Sequence, residues 1–386
     1  MSFNQFTNLD FAALRQQIKD YLRVNSDFAD FDFEGSNFST LIDLLAYNTY
    51  ITAYNTNMAV NECFLDSATL RENVVSLARN IGYVPRSARS AMATINFSVD
   101  LGTNDTRIVT LKAGQVALGN QVGGSYIFSI PDDFVATTGD NNVAIFNNLN
   151  VYEGIYLQKS FQIDYSQPNQ RFILPNANID TTSIRVTVTS TTSEIYTLYD
   201  NILRVDAESK LFLIQEIEDE HYEILFGDGI LGKKPPSGAI VNVSYIVSNG
   251  RAGNDAKNFS FIGILEDDQG LSVTSGISVI QTANKASMGD DIEDISSIKY
   301  LAPRIYSSQY RAVTASDYSG IIPFVYPNVE SVTAYGGEEL DPPEYGKVFI
   351  SIKPKNGSFL SQITKDDISR QLKQYSIAGI KPEIID

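Results

Sequence analysis

The sequence predicts an α+β multidomain protein, with an N-terminal helical segment, a central mostly-β domain that is a sandwich or an open barrel, and a small C-terminal α+β domain. A chain of 386 residues exceeds the usual size of one hydrophobic core. Apolar residues recur every three or four positions up to residue 88, whereas they alternate with polar residues from Ala93 onwards. Both patterns occur after residue 288. We therefore predict domains at 1–88, 89–288 and 289–386.

Two helices are predicted in the first part of the chain. The first has apolar residues four positions apart, and an acidic break at 27–35 follows it. The second runs from near Phe38 to Phe64, with apolar residues at alternating steps of three and four, the heptad pattern of a coiled coil. The stripe of the first helix consists of Leu14, Ile18 and Leu22, with Phe11 on an adjoining face. The seam of the second consists of Leu44, Tyr47, Ile51, Tyr54 and Met58.

A third helix is delimited by signals at both ends. Thr69 with Glu72 predicts a capping box at its start, and Gly82 followed by Pro85 predicts its end. Its apolar stripe consists of Leu70, Val74, Leu77, Ala78 and Ile81.

Three short amphipathic helices bury little apolar surface by themselves, which leaves two interpretations open. Their stripes are completed by another chain in a bundle or coiled coil, or they pack internally against the next domain. The tyrosines of the second helix suit an interface, because their rings are buried while their hydroxyls stay hydrogen-bonded; an ordinary core helix is the alternative. The candidate interface residues are Leu14, Ile18, Leu22, Leu44, Tyr47, Ile51 and Tyr54.

The central region has the period of half-buried strands. Ala93, Ile95, Phe97 and Val99 alternate with polar residues, and 184–189 repeats the pattern. Clusters of glycine and asparagine separate short strands, and no helical pattern is sustained between residues 90 and 285. The strand topology is left open.

A glycine-rich stretch from Phe226 to Gly238 matches two phosphate-binding patterns in the spacing of its residues. Both patterns require a helix directly after the glycines, so that free N–H groups face the phosphate. Here Lys234 replaces the Ser or Thr, Pro235-Pro236 follows, and strand patterns lie on both sides, at 222–226 and 239–248. We therefore predict a structural turn and no nucleotide. Its residues are Gly227, Asp228, Gly229 and Gly232.

Composition excludes several classes of function. With 46 acidic and 29 basic residues, the net charge of −17 disfavours binding to nucleic acid or an anionic membrane. No apolar run approaches the roughly 18 residues that span a bilayer. The only histidine, His221, makes a histidine-dependent triad or a multi-histidine metal site untenable, and no cofactor is expected. The only cysteine, Cys63, is predicted to be a buried structural thiol, which fits assembly in a reducing cytoplasm.

The last part of the chain mixes helices and strands. Thr314 and Asp317 predict a capping box before a short helix, and strands are predicted at 332–335 and 347–352. Thr364 with Asp367 predicts the start of a last helix carrying Ile368, Leu372 and Tyr375, after a turn at 356–357. Arg304 or Arg311 is expected to pair with the acidic run 290–294.

An enzymatic function is less well supported by the sequence than a non-enzymatic one. Glu223 and Asp228 flank the glycine-rich turn and imitate the acid and base of a glycosidase, but nothing distinguishes them from the other carboxylates. The chain also has no tryptophan to stack on sugar rings. We predict no enzymatic activity, with a tail-associated glycan depolymerase or a host receptor-binding module as the alternative.

Three blocks of sequence resemble the baseplate J-like family, and within it the large baseplate wedge subunit of T-even-like contractile-tailed phages. The first looks specific to that wedge, whereas the other two look common to many contractile injection systems. The blocks are 41–50 with 61–66, then 226–229 through Pro235-Pro236 to 253–254, then 302–304 with 309–318. The family's subunits run longer, with further domains after the region that matches 381–386, where another strand begins.

The resemblance implies a structural virion protein of the tail baseplate, assembled in the host cytoplasm. In such wedges two copies embrace one copy of a fibrous wedge partner through N-terminal helices, and six wedges join other baseplate and sheath-initiating proteins in a ring around the tail hub. Baseplates change shape to trigger sheath contraction, so the segments 85–88 and 287–291 are candidate hinges between domains.

Overall fold

The computed structural model describes residues 7, 10–25, 36–102, 106–121, 123–139, 141–167, 169–199, 205–326, 328–355, 359–360 and 362–385. The helices are α1 Phe11–Asn25, α2 Asn37–Asn61, α3 Arg71–Asn80, α4 Ile295–Ser308, α5 Ala315–Val325 and α6 Gln362–Leu372. The first strands are β1 Met92–Asp100, β2 Ile108–Leu111, β3 Gly114–Gln121, β4 Gly124–Ile130, β5 Phe134–Thr137, β6 Val143–Glu153, β7 Ile155–Gln162, β8 Phe172–Leu174, β9 Ile179–Thr189 and β10 Ser193–Leu198. The others are β11 Leu211–Glu216, β12 Tyr222–Phe226, β13 Ile240–Val247, β14 Lys257–Phe261, β15 Leu265–Glu266, β16 Gln281–Ser287, β17 Val329–Gly336, β18 Lys347–Pro354 and β19 Lys381–Ile385.

The chain divides into two compact units, and the fold class is the predicted one: N-terminal helices, barrel-like sheets in the centre and a small α+β part at the end. The helical unit contains Met1–Val84 and Ile295–Gln309, and the β-rich unit contains Pro85–Asp294 and Tyr310–Asp386. The boundaries at 88 and 288 stay a prediction. None of the helices that the structure describes is both long and apolar enough to cross a membrane.

In the helical unit α1 packs on α2, and α3 packs on α4. The predicted first and second helices are confirmed, although α2 ends at Asn61 rather than Phe64. Helix α4 was not predicted, although its buried residues recur at helical spacing around Pro303. They are Ile298, Leu301, Ala302 and Ile305.

The predicted capping box of α3 is wrong. The N-cap residue is Leu70, which makes no side-chain cap bond. The Glu62 carboxylate takes that role, because it accepts bonds from the backbone N–H groups of Thr69 at 2.8 Å and Leu70 at 3.3 Å and from the Asn73 side chain at 2.9 Å. The predicted end is confirmed: Gly82 has φ +81°, and Tyr83 N–H bonds the carbonyl of Ala78.

The first large sheet is barrel-like. Its order is β14-β3-β4-β6-β1-β16. The two end strands meet where Ala286 N–H donates to the Ala256 carbonyl at 3.0 Å and Asp255 N–H donates to the Ala286 carbonyl at 2.7 Å. The predicted alternation of β1 is confirmed, since every second residue points into the core. Core neighbours include Val109, Leu111, Phe128, Phe146 and Val151.

The second large sheet has the order β7-β13-β9-β10-β11-β12-β8. The strands predicted around the glycine-rich turn are β12 and β13, but they are not neighbours, so the turn connects separate parts of the sheet. Ile246 broke the predicted alternation of β13. The pairing of β13 with β9 shifts register between Ser244 and Ile246, and this irregularity lets Ile246 be buried.

The C-terminal part is the sheet β17-β18-β19 with α5 and α6. β17 runs antiparallel and β19 parallel to β18, and the strand expected near Lys381 is therefore present. The predicted cap of the last helix is wrong: α6 begins at Gln362, so Thr364 and Asp367 lie inside it, and Tyr375 lies beyond its end. The predicted turn at 356–357 lies outside the described residues.

Cys63 is exposed, so its predicted burial is wrong. It follows the last turn of α2, where its Sγ bonds the Ala59 carbonyl at 3.2 Å. Its apolar neighbours along the chain did not indicate its own environment, because successive residues of a helical turn point in different directions.

Candidate interface, glycine-rich turn and domain junction

Helix α2 buries mostly small and polar residues, with Ile42 as the exception, and exposes most of its large apolar ones. The buried residues include Ile42 and Ala46, which are 2% and 0% exposed. On the predicted seam Leu44 is 62% exposed and Tyr47 is 57% exposed. Ile51 and Tyr54 are exposed as well. An amphipathic helix of a self-contained protein has the opposite arrangement.

Hydrogen bonds explain why the polar face of α2 is the buried one. Asn57 accepts the backbone N–H of Thr7 at 3.1 Å, and its amide donates to the Thr7 hydroxyl at 2.5 Å. Arg15 of α1 forms an ion pair with Asp43 at 2.5 Å and reaches the Ser39 hydroxyl at 3.4 Å. These bonds give partners to Asn57 and Ser39, which α2 buries, and burial of the two side chains is tolerated for that reason.

Helix α1 is covered more evenly. Leu14, Ile18 and Leu22 are half-buried. Tyr21 and Val24, which the sequence analysis did not select, are strongly exposed. Tyr21 is three residues from Ile18 and Val24 is two residues from Leu22, so neither continued the four-residue spacing that defined the predicted stripe. Most of the exposed apolar surface of this helix pair therefore comes from α2.

The glycine-rich turn is closed by its own bonds. The Asp228 carboxylate accepts the N–H groups of Ile230 at 2.8 Å and Leu231 at 2.9 Å. The N–H of Gly229 donates to the Gly232 carbonyl, that of Gly232 to the Asp206 carbonyl, and that of Lys233 to the Ser209 carbonyl. A phosphate site needs free N–H groups, and each of those between 229 and 233 is already used. The side chain of Lys233 likewise bonds both carboxylate oxygens of Glu194, each at 2.8 Å.

Each glycine of this turn has a geometric reason. Gly229 and Gly232 have φ of +93° and +86°, in the region that favours glycine. A Cβ at Gly227 would overlap the backbone carbonyl of Gly232. The pattern that resembles a nucleotide motif is thus explained by chain packing.

Glu223 and Asp228 are poorly suited to acid catalysis. The Glu223 side chain is nearly buried and is held by Arg171 through two bonds of 2.9 Å, with Gln215 as a further donor at 2.8 Å. The backbone N–H groups of Leu231 and Ile230 lower the pKa of Asp228. A glycosidase acid instead requires a raised pKa, which is opposite to the shift of Asp228.

The two predicted hinge segments lie side by side within the β-rich unit. Arg89 and Asp290 form an antiparallel β-bridge, with N–H to carbonyl distances of 2.8 and 3.0 Å. Arg86 N–H donates to the Glu293 carboxylate at 2.9 Å, and the Arg86 guanidinium bonds Asp290 at 2.9 Å. Arg251 bonds the other Asp290 oxygen at 2.5 Å. We call Arg86, Arg89, Arg251, Asp290 and Glu293 the junction clasp.

Buried carboxylates that the sequence analysis did not select support this region. Asp180 accepts the N–H of Ser90 at 2.9 Å. Glu153 has no exposed surface and accepts bonds from Ser248 and from both the backbone and the side chain of Asn249. Such burial requires tertiary donors, for which the sequence has no local signal.

Asp290 of the acidic run is paired with Arg86 and Arg251 rather than with the arginines named from the sequence. Arg304 instead donates to the Tyr300 carbonyl at 2.8 Å, and its guanidinium lies 3.5 Å from the centre of the Tyr300 ring. Thr314 accepts the N–H of Asp317 at 3.2 Å while Asp317 accepts that of Thr314 at 2.8 Å, which caps α5.

Three protein-family models match the chain in order. The helical domain of the baseplate wedge protein gp6-like family matches residues 10–83. The third domain of bacteriophage baseplate wedge protein gp6 matches 159–250. C-terminal domain I of baseplate structural protein gp6 matches 314–385.

Among curated proteins, baseplate wedge protein gp6 of Enterobacteria phage T4 is 29% identical over 398 residues. The alignment covers 98% of this chain and 59% of that protein, so the chain spans about three fifths of the relative's length. Two solved structures are more distant. The anti-feeding prophage baseplate has a TM-score of 0.34 at 14% identity and covers 99% of this chain and 80% of its own. The type VI secretion TssK-TssF-TssG baseplate subcomplex has a TM-score of 0.38 at 8% identity, with 89% and 96% covered.

TM-scores this low carry no inference about the chain. The ordered domain matches and the alignment with the T4 protein show that the chain is similar to gp6-like baseplate wedge proteins.

Proposed function

We propose that this chain is a structural component of the baseplate wedge in a contractile phage tail, held in its complex by the N-terminal helices. The observation that carries the proposal is the exposed apolar seam of α2. Leu44, Tyr47, Ile51 and Tyr54 follow a heptad pattern, and all four are exposed in the single chain. A surface of this kind marks a protein interface.

The partners in this proposal are a second copy of the chain and a fibrous wedge protein, bound along α1 and α2, with Leu14, Ile18 and Leu22 completing the seam. Leucine and isoleucine supply apolar area, and the tyrosines supply rings with hydroxyls at the rim. Other baseplate and sheath-initiating proteins bind elsewhere on the chain. Neither nucleic acid nor a membrane is a partner in this scheme. Membership of the wider baseplate J-like family is part of the same proposal and rests on the three sequence blocks.

The β-rich unit serves as a rigid spacer that contacts neighbouring wedges. Its buried carboxylates are held by several donors each, which suits a part that transmits position rather than one that changes shape. We also infer that the chain has no catalytic role, because the two carboxylates nearest to a glycosidase pair are engaged in an ion pair and in a turn.

The test is the solution mass of the complex with purified neighbouring wedge proteins, measured by light scattering after size exclusion. Leu44→Asp places a charge on the seam and should abolish the larger complex, because burying an unpaired carboxylate is costly. Ile195→Asp is the matched control, since Ile195 is a strongly exposed aliphatic residue on β10. Unchanged assembly of the Leu44→Asp chain would refute the assignment of the seam as the interface.

A further inference from the structure

The β-rich unit contains a cavity that none of the roles above uses. It has a volume of about 570 Å³. Strands β1 and β16 form one wall, and residues around the end of β18 and the start of α6 form the other. This volume lies in the range of small-molecule sites, roughly 300 to 1,000 Å³.

The charged side chains that line the cavity are three cations and three anions, and all but one of them have an ion-pair partner. They are Arg89, Arg251, Lys285, Asp255, Asp290 and Asp367. Arg251 pairs with Asp290 at 2.5 Å, and Lys285 pairs with Asp255 at 2.5 Å. Asp367 pairs with Arg370 at 3.2 Å.

Arg89 is the lining charge without such a partner. Its side chain makes no hydrogen bond and no ion pair with any residue in the described part of the chain. Arg89 is half-buried, and its backbone is fixed in the bridge with Asp290. A partly desolvated guanidinium with five donors and no acceptor favours an anion beside it.

The rest of the wall limits which anion fits. The carboxylates of Asp255, Asp290 and Asp367 oppose a group of high negative charge such as phosphate. Apolar surface is supplied by Met92, Met288 and Phe359. Phe359 is 72% exposed, so most of its ring is left uncovered.

We propose that this cavity binds a small organic monocarboxylate, with the carboxylate on Arg89 and the apolar body against Met92, Met288 and Phe359. Planar guanidinium and carboxylate groups form two parallel hydrogen bonds, which gives this pairing both strength and orientation. The uncharged side chains of Asn284 and Ser287, which also line the cavity, provide further donors.

The proposal is tested by calorimetric titration of the intact chain with N-acetyl-L-phenylalanine, N-acetyl-L-phenylalaninamide and inorganic phosphate. The acid should bind saturably and at least tenfold more tightly than its uncharged amide, and phosphate should bind more weakly than the acid. Equal affinity for acid and amide, tighter binding of phosphate, or no saturable binding of the acid would overturn the proposal.

Substitutions distinguish a specific role of Arg89 in binding the acid from a general effect of the charge of the chain. Arg89→Gln should weaken binding of the acid at least tenfold and leave the amide unchanged. Arg107→Gln, at an exposed arginine just before β2, removes the same charge elsewhere and should have no effect. Asn284→Asp adds a carboxylate to the wall at an exposed position and should weaken the acid selectively, which keeps the test valid if Arg89→Gln does not fold. Unchanged binding of the acid by both wall variants would refute the site.

Discussion

Helix α2 and strand β1 differ in which of their side chains are buried and which are exposed. In β1 every second side chain is apolar and buried, and the chain itself supplies all that covers them. In α2 the buried face is mostly small or polar, with Ile42 as the exception, and the apolar seam is exposed. The difference shows that regular hydrophobic spacing marks a surface that must be covered without revealing whether this chain covers it.

The largest expected effect is a charge in the β1 core. Ile95→Asp should lower the free energy of unfolding by more than about 4 kcal/mol, because an unpaired carboxylate would be buried in an apolar core. Denaturant unfolding of the isolated chain measures this change. Leu44→Asp on the α2 seam should change the free energy of unfolding by less than about 0.5 kcal/mol. A comparable loss of unfolding free energy in both variants would mean that the apolar seam of α2 is covered within the chain. It would contradict the contrast between α2 and β1.

The junction clasp should show the next largest effect. Asp290→Ala leaves the guanidinium groups of Arg86 and Arg251 without their shared partner and should cost about 2 to 3 kcal/mol of unfolding free energy. Asp132→Ala breaks the exposed pair with Arg185 and serves as the matched control, with an expected cost below about 1 kcal/mol. Equal values in the same unfolding experiment would show that the clasp is an ordinary surface pair.

The glycine-rich turn should be less sensitive than the clasp. Gly227→Ala forces a Cβ against the Gly232 carbonyl and should cost about 1 to 2 kcal/mol. Gly123→Ala, where a Cβ meets nothing within 4 Å, should change stability by less than about 0.5 kcal/mol. Thermal melts of both variants make the comparison, and a tolerated Gly227→Ala would contradict the packing explanation for this turn.

The smallest expected effect is a pH dependence inside the second sheet. Burial, with a smaller contribution from the Glu194 charge, raises the pKa of Tyr196 from 10.0 to about 12, and its hydroxyl is buried without a hydrogen bond. A raised pKa in the folded state favours the neutral phenol, so this stability is present below pH 10 and is lost as the pH rises towards 12. The free energy of unfolding of the Tyr196→Phe variant should therefore fall less between pH 10 and pH 12 than that of the unsubstituted chain, by about 1 kcal/mol. Denaturant unfolding at each pH measures this difference. Identical slopes for the two proteins would exclude the tyrosine as the cause.

Local patterns predicted the elements whose causes are local. The periods of α2, β1 and β13 were readable, and so was the end of α3 at Gly82, because that end depends on one backbone conformation. Helix α4 carried a usable signal in its buried residues, which the proline at 303 obscured.

Features that depend on residues distant in the sequence could not be predicted from local patterns. The start of α3 depends on Glu62, eight residues before its N-cap Leu70, and the burial of Glu153 depends on Ser248 and Asn249 far along the chain. The polar face of α2 gave no hydrophobic period at all, since Ser39 and Asn57 are buried through hydrogen bonds. The apolar seam of α2 was thus readable, and its role as an interface stays a prediction, whereas the clasp and the Arg89 cavity required the fold.

The junction clasp has a mechanical consequence. The chain passes between its two units at three points, and the first two of these, at 84/85 and 294/295, follow directly from the segments that the clasp fastens together. Within the β-rich unit, a pull on either backbone at this place is therefore shared by both and loads the β-bridge and the ion pairs of the clasp in parallel. We expect the segments 85–88 and 287–291 to yield together under load rather than one after the other.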